Sequence, residues 1–313
     1  MSDASRPDAL LAAARDGDRA ALARLLSLVE RGGPGARAVG RLTHPLGGTG
    51  YAVGITGAPG AGKSTLTSAL VGQIRHDGAK VAVLAIDPSS PFTGGAILGD
   101  RVRMQDHSGD PGVFIRSMAT RGHLGGLSLA TLEAIRLLDA TDWPWILVET
   151  VGVGQIEVEV AGAADTTIVV VNPGWGDAVQ ANKAGLLEIA DIFVINKADR
   201  PGADDTRRDL ERMLDLTGTS GWRPPVLATN ATTGDGVEAL WQAVAQHRSN
   251  LASTGELEDR RRARVSDELT EIVAALLRER AKDAVAQRLD RLAEQVASRA
   301  VDPWTAAREL LPD

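Results

Sequence analysis

Cysteine is absent from the 313 residues, which removes disulfides, thiol redox chemistry, iron–sulfur clusters and cysteine-based metal transfer together. Aromatic residues make up only 3% of the chain, and acids outnumber bases, 41 against 34, for a formal charge of −7. That balance disfavours a nucleic-acid binder working through a basic surface and stacking aromatics. No uninterrupted apolar stretch approaches the ~18 residues that a spanning helix needs. The first residues, MSDASRPDALLAAARDGDR, carry acids and lack the apolar centre of a signal peptide. A cytoplasmic protein with no membrane and no nucleic acid among its partners is therefore expected. The five histidines, His44, His76, His107, His123 and His247, form no HxH or HxxxH pair, which argues against metal insertion of the nickel or zinc type.

Hydrophobic residues nevertheless make up 43% of the chain, enough for a sizeable core. Leu10, Leu11, Ala14, Leu22, Leu25, Leu26 and Val29 recur at mostly helical intervals around Gly17, until Gly32-Gly33-Pro34-Gly35 breaks the pattern. A helical N-terminal extension over residues 1–49 is expected. From Tyr51 the texture changes to short apolar or β-branched runs separated by helical patterns. The strands expected are Ala52–Thr56, Lys80–Asp87, Gly112–Arg116, Trp145–Glu149, Thr166–Asn172, Asp191–Asn196 and Pro225–Ala228. This alternation predicts an α/β domain over residues 50–250, a mostly parallel central sheet flanked by helices, with ligands at the carboxyl ends of the strands. Beyond residue 250, Val265, Leu269, Ile272, Leu276, Val285, Leu289, Leu292 and Val296 recur at helical spacing. They mark a helical arm over residues 251–313, either packed back on its own domain or meeting another chain. Arg260-Arg261-Arg262, beside Glu256, Glu258 and Asp259, reads as a solvated helix face.

The strongest local signal is Gly57-Ala58-Pro59-Gly60-Ala61-Gly62-Lys63-Ser64, directly after the strand AVGIT and before a helix pattern that opens at Thr65. Glycines let a backbone wrap an anion with its N–H groups inward, and the positive end of the following helix adds to the attraction. Lys63 is expected to reach the β- and γ-phosphates, and the Ser64 hydroxyl to ligate Mg²⁺. Asn196-Lys197-Ala198-Asp199 ends the run DIFVI. A carboxylate there accepts from both guanine N1–H and the N2 amino group, whereas adenine offers no such pair of donors, so GTP and GDP are favoured over ATP. Glu149-Thr150-Val151-Gly152 follows another strand, placing a carboxylate near the metal and the Gly152 N–H near the γ-phosphate. Leu227 to Val237 has the pattern of a base-closing loop, in which Asn230 stands where serine is commoner and the Ala231 N–H faces guanine O6.

On these residues the sequence resembles the MeaB/ArgK family of P-loop GTPases. The likeness is carried by DPSSPFTGGAILGDRVRM (Asp87 to Met104), RGHLGG (Arg121 to Gly126), ETVGVGQIEVEV (Glu149 to Val160), GDAVQANKAGLLEIADIFVINKAD (Gly176 to Asp199) and the C-terminal Asp302-Pro303-Trp304-Thr305-Ala306-Ala307. The resemblance implies a homodimeric GTPase chaperone that serves an adenosylcobalamin-dependent acyl-CoA mutase. It also implies that Asp87, Asp100 and Glu149 lie around Mg²⁺, and that the segment from Gly176 to Lys183 responds to the mutase. Where many GTPases place a water-positioning glutamine after the glycine, this chain has Val153, so slow intrinsic turnover is expected. Gln155, Lys183 and Arg121 are candidates for the missing assistance, and Trp175 for a contact that changes with nucleotide or partner. The alternative is a P-loop kinase or ATPase of the arginine/ornithine transport type, which would need an acceptor pocket and would leave Asn-Lys-Ala-Asp without a role. A targeting GTPase of the signal-recognition type would bring a methionine-rich module, and the chain has four methionines.

Overall fold

The computed structural model describes residues 6–88, 107, 109–120, 126–150, 156–174, 185, 188–217 and 221–310. Its contacts divide the chain into two compact units, Met1–Arg262 and Ala263–Asp313.

Seven strands form the sheet of the first unit: β1 (Tyr51–Gly57), β2 (Val81–Pro88), β3 (Val113–Thr120), β4 (Trp145–Thr150), β5 (Thr166–Val171), β6 (Ile192–Asn196) and β7 (Val226–Thr229). They lie in the order β3-β2-β4-β1-β5-β6-β7, and every neighbouring pair is parallel. Each expected strand is present, and β3 runs four residues further than its sequence pattern indicates. A parallel sheet covered on both faces needs apolar residues at consecutive positions, and Val169, Val170 and Val171 are all fully buried. Successive side chains point to opposite faces. Thus Val53, Ile55, Val83 and Val170 pack with Leu66 and Leu70 of α4 (Lys63–His76) and Leu240 and Val244 of α8 (Val237–Thr254). On the opposite face, Leu84, Ile146 and Val148 meet α5 (Gly126–Asp139), α6 (Ile156–Ala163) and the N-terminal helices. Val169, Phe193 and Ile195 meet α7 (Ala203–Thr217) on that same face.

The N-terminal extension is three helices, α1 (Pro7–Arg15), α2 (Arg19–Arg31) and α3 (Gly33–Thr43). Leu25 and Leu26 of α2 are wholly buried, and each such side chain contributes about 1.5–3 kcal/mol by leaving water. Polar ties secure α2 to the edge strand: Arg19 donates to the carbonyls of Asp110 and Val113, and Arg116 pairs with Glu30 at 3.1 Å. The Gly32-Gly33-Pro34-Gly35 run interrupts the helices for one residue only. Gly32 turns the chain at φ +69°, and Pro34 sits in the first turn of α3, where a helix has no use for its missing N–H.

α9 (Glu256–Ala297) begins in the first unit and continues through the second, which also contains α10 (Pro303–Leu310). Asp302 caps α10 by accepting from the Trp304 and Thr305 amides and from the Thr305 hydroxyl. Val265, Leu269, Val273 and Leu276 of α9 are 41–57% exposed, and their spacing sets them along one side of the helix.

Candidate functional site

β1 delivers the chain into the glycine-rich loop at the carboxyl edge of the sheet, with β4 and β5 as its neighbours. Two glycines are required by space. Gly57 has φ +131°, and a Cβ there would lie 2.0 Å from the Val170 carbonyl oxygen. Gly62 has φ +92°, and a Cβ there would lie 2.4 Å from Asn196 Nδ2. The loop therefore folds tightly over the end of β5 on one side and against the end of β6 on the other. Pro59 and Gly60 are its exposed tip, whereas Ala61 is fully buried.

Lys63, the first residue of α4, is only 7% exposed, and its Nζ donates to the carbonyls of Gly57 at 2.8 Å and Ala58 at 3.3 Å. The ammonium is thereby held across the loop, at the helix end that already favours anions. Ser64 follows with its hydroxyl donating to Glu149 Oε1. Glu149 comes from β4 and is 1% exposed. A hydroxyl and a buried carboxylate side by side are hard oxygen donors of the kind Mg²⁺ takes, usually together with phosphate oxygens and water, so this pair fits the ion. Thr65 is exposed in the first turn of α4. Asp87 sits at the end of β2, one residue beyond the Ile86–Thr150 register with β4. Its side chain, together with Asp100, Arg121, Gly152, Val153, Gln155, Trp175 and Lys183, lies outside the described residues.

Asn196 at the end of β6 ties the loops together. It is 2% exposed; its Nδ2 donates to the Ala61 carbonyl at 2.8 Å, and its Oδ1 accepts from the Ala231 amide at 3.1 Å and the Thr229 hydroxyl at 3.2 Å. One side chain thus joins the phosphate loop to the loop after β7. Lys197 adopts φ +59°, and its Nζ donates to the Gly60 carbonyl at 2.7 Å. Asp199 is exposed two residues on. The Ala231 N–H, expected to face guanine O6, donates to Asn196 Oδ1, so a guanine oxygen would reach it by sharing or replacing that bond. Asn230 is an Asx turn, its Oδ1 accepting from the Thr232 amide.

At the opposite ends of the strands the reading of the basic run needs correction. Arg262 is exposed, but Arg260 donates to Asp191 Oδ1 at 2.9 Å, and Arg261 grips Asp165 with two nitrogens while also donating to the carbonyls of Gly48 and Gly50. Asp165 is 2% exposed. His247 completes this cluster, fully buried, with Nδ1 2.8 Å from the Thr166 hydroxyl and Nε2 3.3 Å from Asp191. The Thr166 hydroxyl is in turn 2.7 Å from the Tyr51 hydroxyl. Burial holds the His247 pKa below its ordinary value, with the Asp191 carboxylate opposing the shift. Burial pushes the Tyr51 phenol up to about 12.

Both motifs that point to a guanine nucleotide converge at one edge of an all-parallel sheet. A family model described as methylmalonyl Co-A mutase-associated GTPase MeaB matches residues 22–303. The chain belongs to the MeaB family. A putative GTPase of Pyrococcus abyssi is 50% identical over 311 residues, covering 98% of this chain and 96% of that protein. The mitochondrial methylmalonic aciduria type A homolog of Mus musculus is 34% identical over 268 residues, covering 83% of this chain and 65% of that protein. A crystal structure described as a LAO/AO transport system kinase superposes with a TM-score of 0.72 at 27% identity, covering 99% of this chain and 97% of that one.

Proposed function

We propose that this chain binds GTP and GDP with Mg²⁺, hydrolyses GTP, and uses that cycle as a homodimeric cytoplasmic chaperone of an adenosylcobalamin-dependent acyl-CoA mutase. The observation that carries the nucleotide reading is the Asn196 side chain, which bonds the phosphate loop and the loop of Ala231 at once. The mutase reading is supported by the family's description as mutase-associated and by the mouse relative's name. The exposed apolar side of α9 supports a second copy as its cover.

In this reading Lys63 turns its ammonium from the loop carbonyls to the β- and γ-phosphates, where its charge offsets what develops as the phosphoryl group transfers. Ser64 and Glu149, with Asp87 and Asp100 nearby in sequence-based expectation, would hold the ion. When bound, Mg²⁺ supplies Lewis-acid stabilisation of the phosphate oxygens. Asp199 accepts from guanine N1–H and N2–H, and Gly152 donates its N–H toward the γ-phosphate.

Asp199→Asn tests the base assignment: an amide NH₂ suits the 2-oxo group of xanthine, so the variant should prefer XTP to GTP by at least tenfold in a competition assay. Unchanged GTP affinity would defeat the assignment. The kinase described for the similar solved structure gives the second reading, and faster phosphate release from ATP than from GTP would favour it.

A further inference from the structure

Thr206, in the first turn of α7, has no part in the motifs that mark the nucleotide site, yet its side chain joins two of the loops that leave the carboxyl edge of the sheet. It is 4% exposed. Its hydroxyl donates to the Gly202 carbonyl at 3.0 Å and accepts from the Gly174 amide at 3.3 Å. Gly202 ends the turn that starts at Asn196 and presents Asp199, while Gly174 belongs to the turn that follows β5. The two turns also touch: a Cβ on Gly202 would stand 3.6 Å from the Gly174 nitrogen and 3.9 Å from Pro173 Cβ. Both glycines have positive φ, +82° at Gly174 and +91° at Gly202, so each turn is shaped to present a backbone group to this hydroxyl.

The Asp199 turn is held at two ends. At its start, Asn196 is fixed by its side-chain bonds to Ala61, Thr229 and Ala231, the Ala198 amide donates to the Thr229 carbonyl at 3.0 Å, and the Arg200 amide donates to the Lys197 carbonyl at 3.0 Å. At its finish, the chain enters α7 at Gly202, where the Thr206 hydroxyl and the Thr206 amide both bond to the Gly202 carbonyl. Asp199 itself is exposed between these anchors, so its carboxylate is aimed by the backbone on either side of it. We infer that Thr206 is a positioning residue for guanine recognition: it locks the far end of the Asp199 turn and couples it to the turn after β5. This rests on the reading of Asp199 as the guanine acceptor.

The hydroxyl is what matters in this account, and two near-isosteric changes separate it from packing. Thr206→Val keeps the shape and loses both hydrogen bonds; Thr206→Ser keeps the hydroxyl and loses a methyl group. With one net hydrogen bond's worth of ordering lost from the turn, Thr206→Val should raise the KM for GTP and speed the release of a fluorescent GDP analogue about fivefold. Its kcat should remain within twofold of wild type. Thr206→Ser should restore KM and release to within twofold. Both are measured on the full chain, with thermal melting alongside.

A Thr206→Val protein with wild-type KM and release would overturn the inference. So would one that loses kcat or melts early while KM is unmoved, because that pattern belongs to a purely structural threonine. If the wild-type chain itself shows no preference for GTP over ATP, the guanine reading falls and takes this inference with it. A guanine-selective wild type with an unaffected valine variant sinks the inference alone.

Discussion

Removing the Asn196 carboxamide should weaken guanine-nucleotide binding while leaving Lys63, Ser64 and Asp199 in place. Asn196→Ala deletes bonds to Ala61, Ala231 and Thr229, of 2.8, 3.1 and 3.2 Å, at a position only 2% exposed. A buried hydrogen bond nets about 0.5–1.5 kcal/mol, so the three together are worth about 3 kcal/mol. Only part of that sum shows as lost affinity, because the Ala231 amide is also the group expected to meet guanine O6 and would share or give up its bond to Asn196. The bonds hold the phosphate loop and the base loop together before nucleotide arrives, and without them binding must do the ordering. Since 1.4 kcal/mol is tenfold, GDP affinity should fall between about ten- and a hundredfold by calorimetry. Asn196→Asp refines the test, because it keeps the acceptor for Ala231 and Thr229 but sets a carboxylate oxygen against the Ala61 carbonyl. It should weaken GDP at least as much as the alanine variant. A GDP affinity within twofold of wild type in both variants, with only the urea midpoint lowered, would refute the idea that this side chain preorganises the site.

Gly57→Ala places a Cβ 2.0 Å from a backbone oxygen of β5, so nucleotide-dependent thermal stabilisation should be lost; a variant still stabilised by GDP would show that the loop has room to shift. Arg261→Met should cost about 3 kcal/mol in urea unfolding, because it strips the guanidinium from a carboxylate 2% exposed. Adding Asp165→Asn should recover part of it, and a loss below about 0.5 kcal/mol would make the pair a surface contact in energy. For His247 the folded chain resists protonation, so below the ordinary histidine value near 6.5 the unfolded chain binds more protons and stability falls with pH. The fall should begin as pH drops through 6.5 and level off beneath the lowered folded value. A His247→Gln variant should lose that part of the slope, and identical slopes in the two proteins would contradict the assignment.

The strands, the glycine-rich loop and Asn196-Lys197-Ala198-Asp199 were legible because each is a local pattern: apolar runs bounded by turns, or a fixed spacing whose chemistry follows from the residues alone. Arg260 and Arg261 were not. Three adjacent arginines among acids look solvated, and nothing in the run tells of Asp165 and Asp191, which are 96 and 69 residues away. Thr206 was hidden for the same reason, since its hydrogen bond to Gly174 spans 32 residues. The Ala231 amide shows a different limit. Its loop follows the last strand, as the sequence pattern has it, but the acceptor the amide meets depends on where Asn196 Oδ1 ends up, and spacing carries no such information. The short break at Gly32 was legible as a stop but not as the start of α3, because a proline two residues later suits both a loop and a helix's first turn.

Phosphate release from GTP and from ATP, by the purified full chain alone and with purified adenosylcobalamin-dependent acyl-CoA mutases, tests the central claim most directly. Slow release, selective for GTP and accelerated by one mutase, is the predicted result. GTP selectivity that no mutase alters would contradict the chaperone role, and a preference for ATP would contradict the guanine site itself.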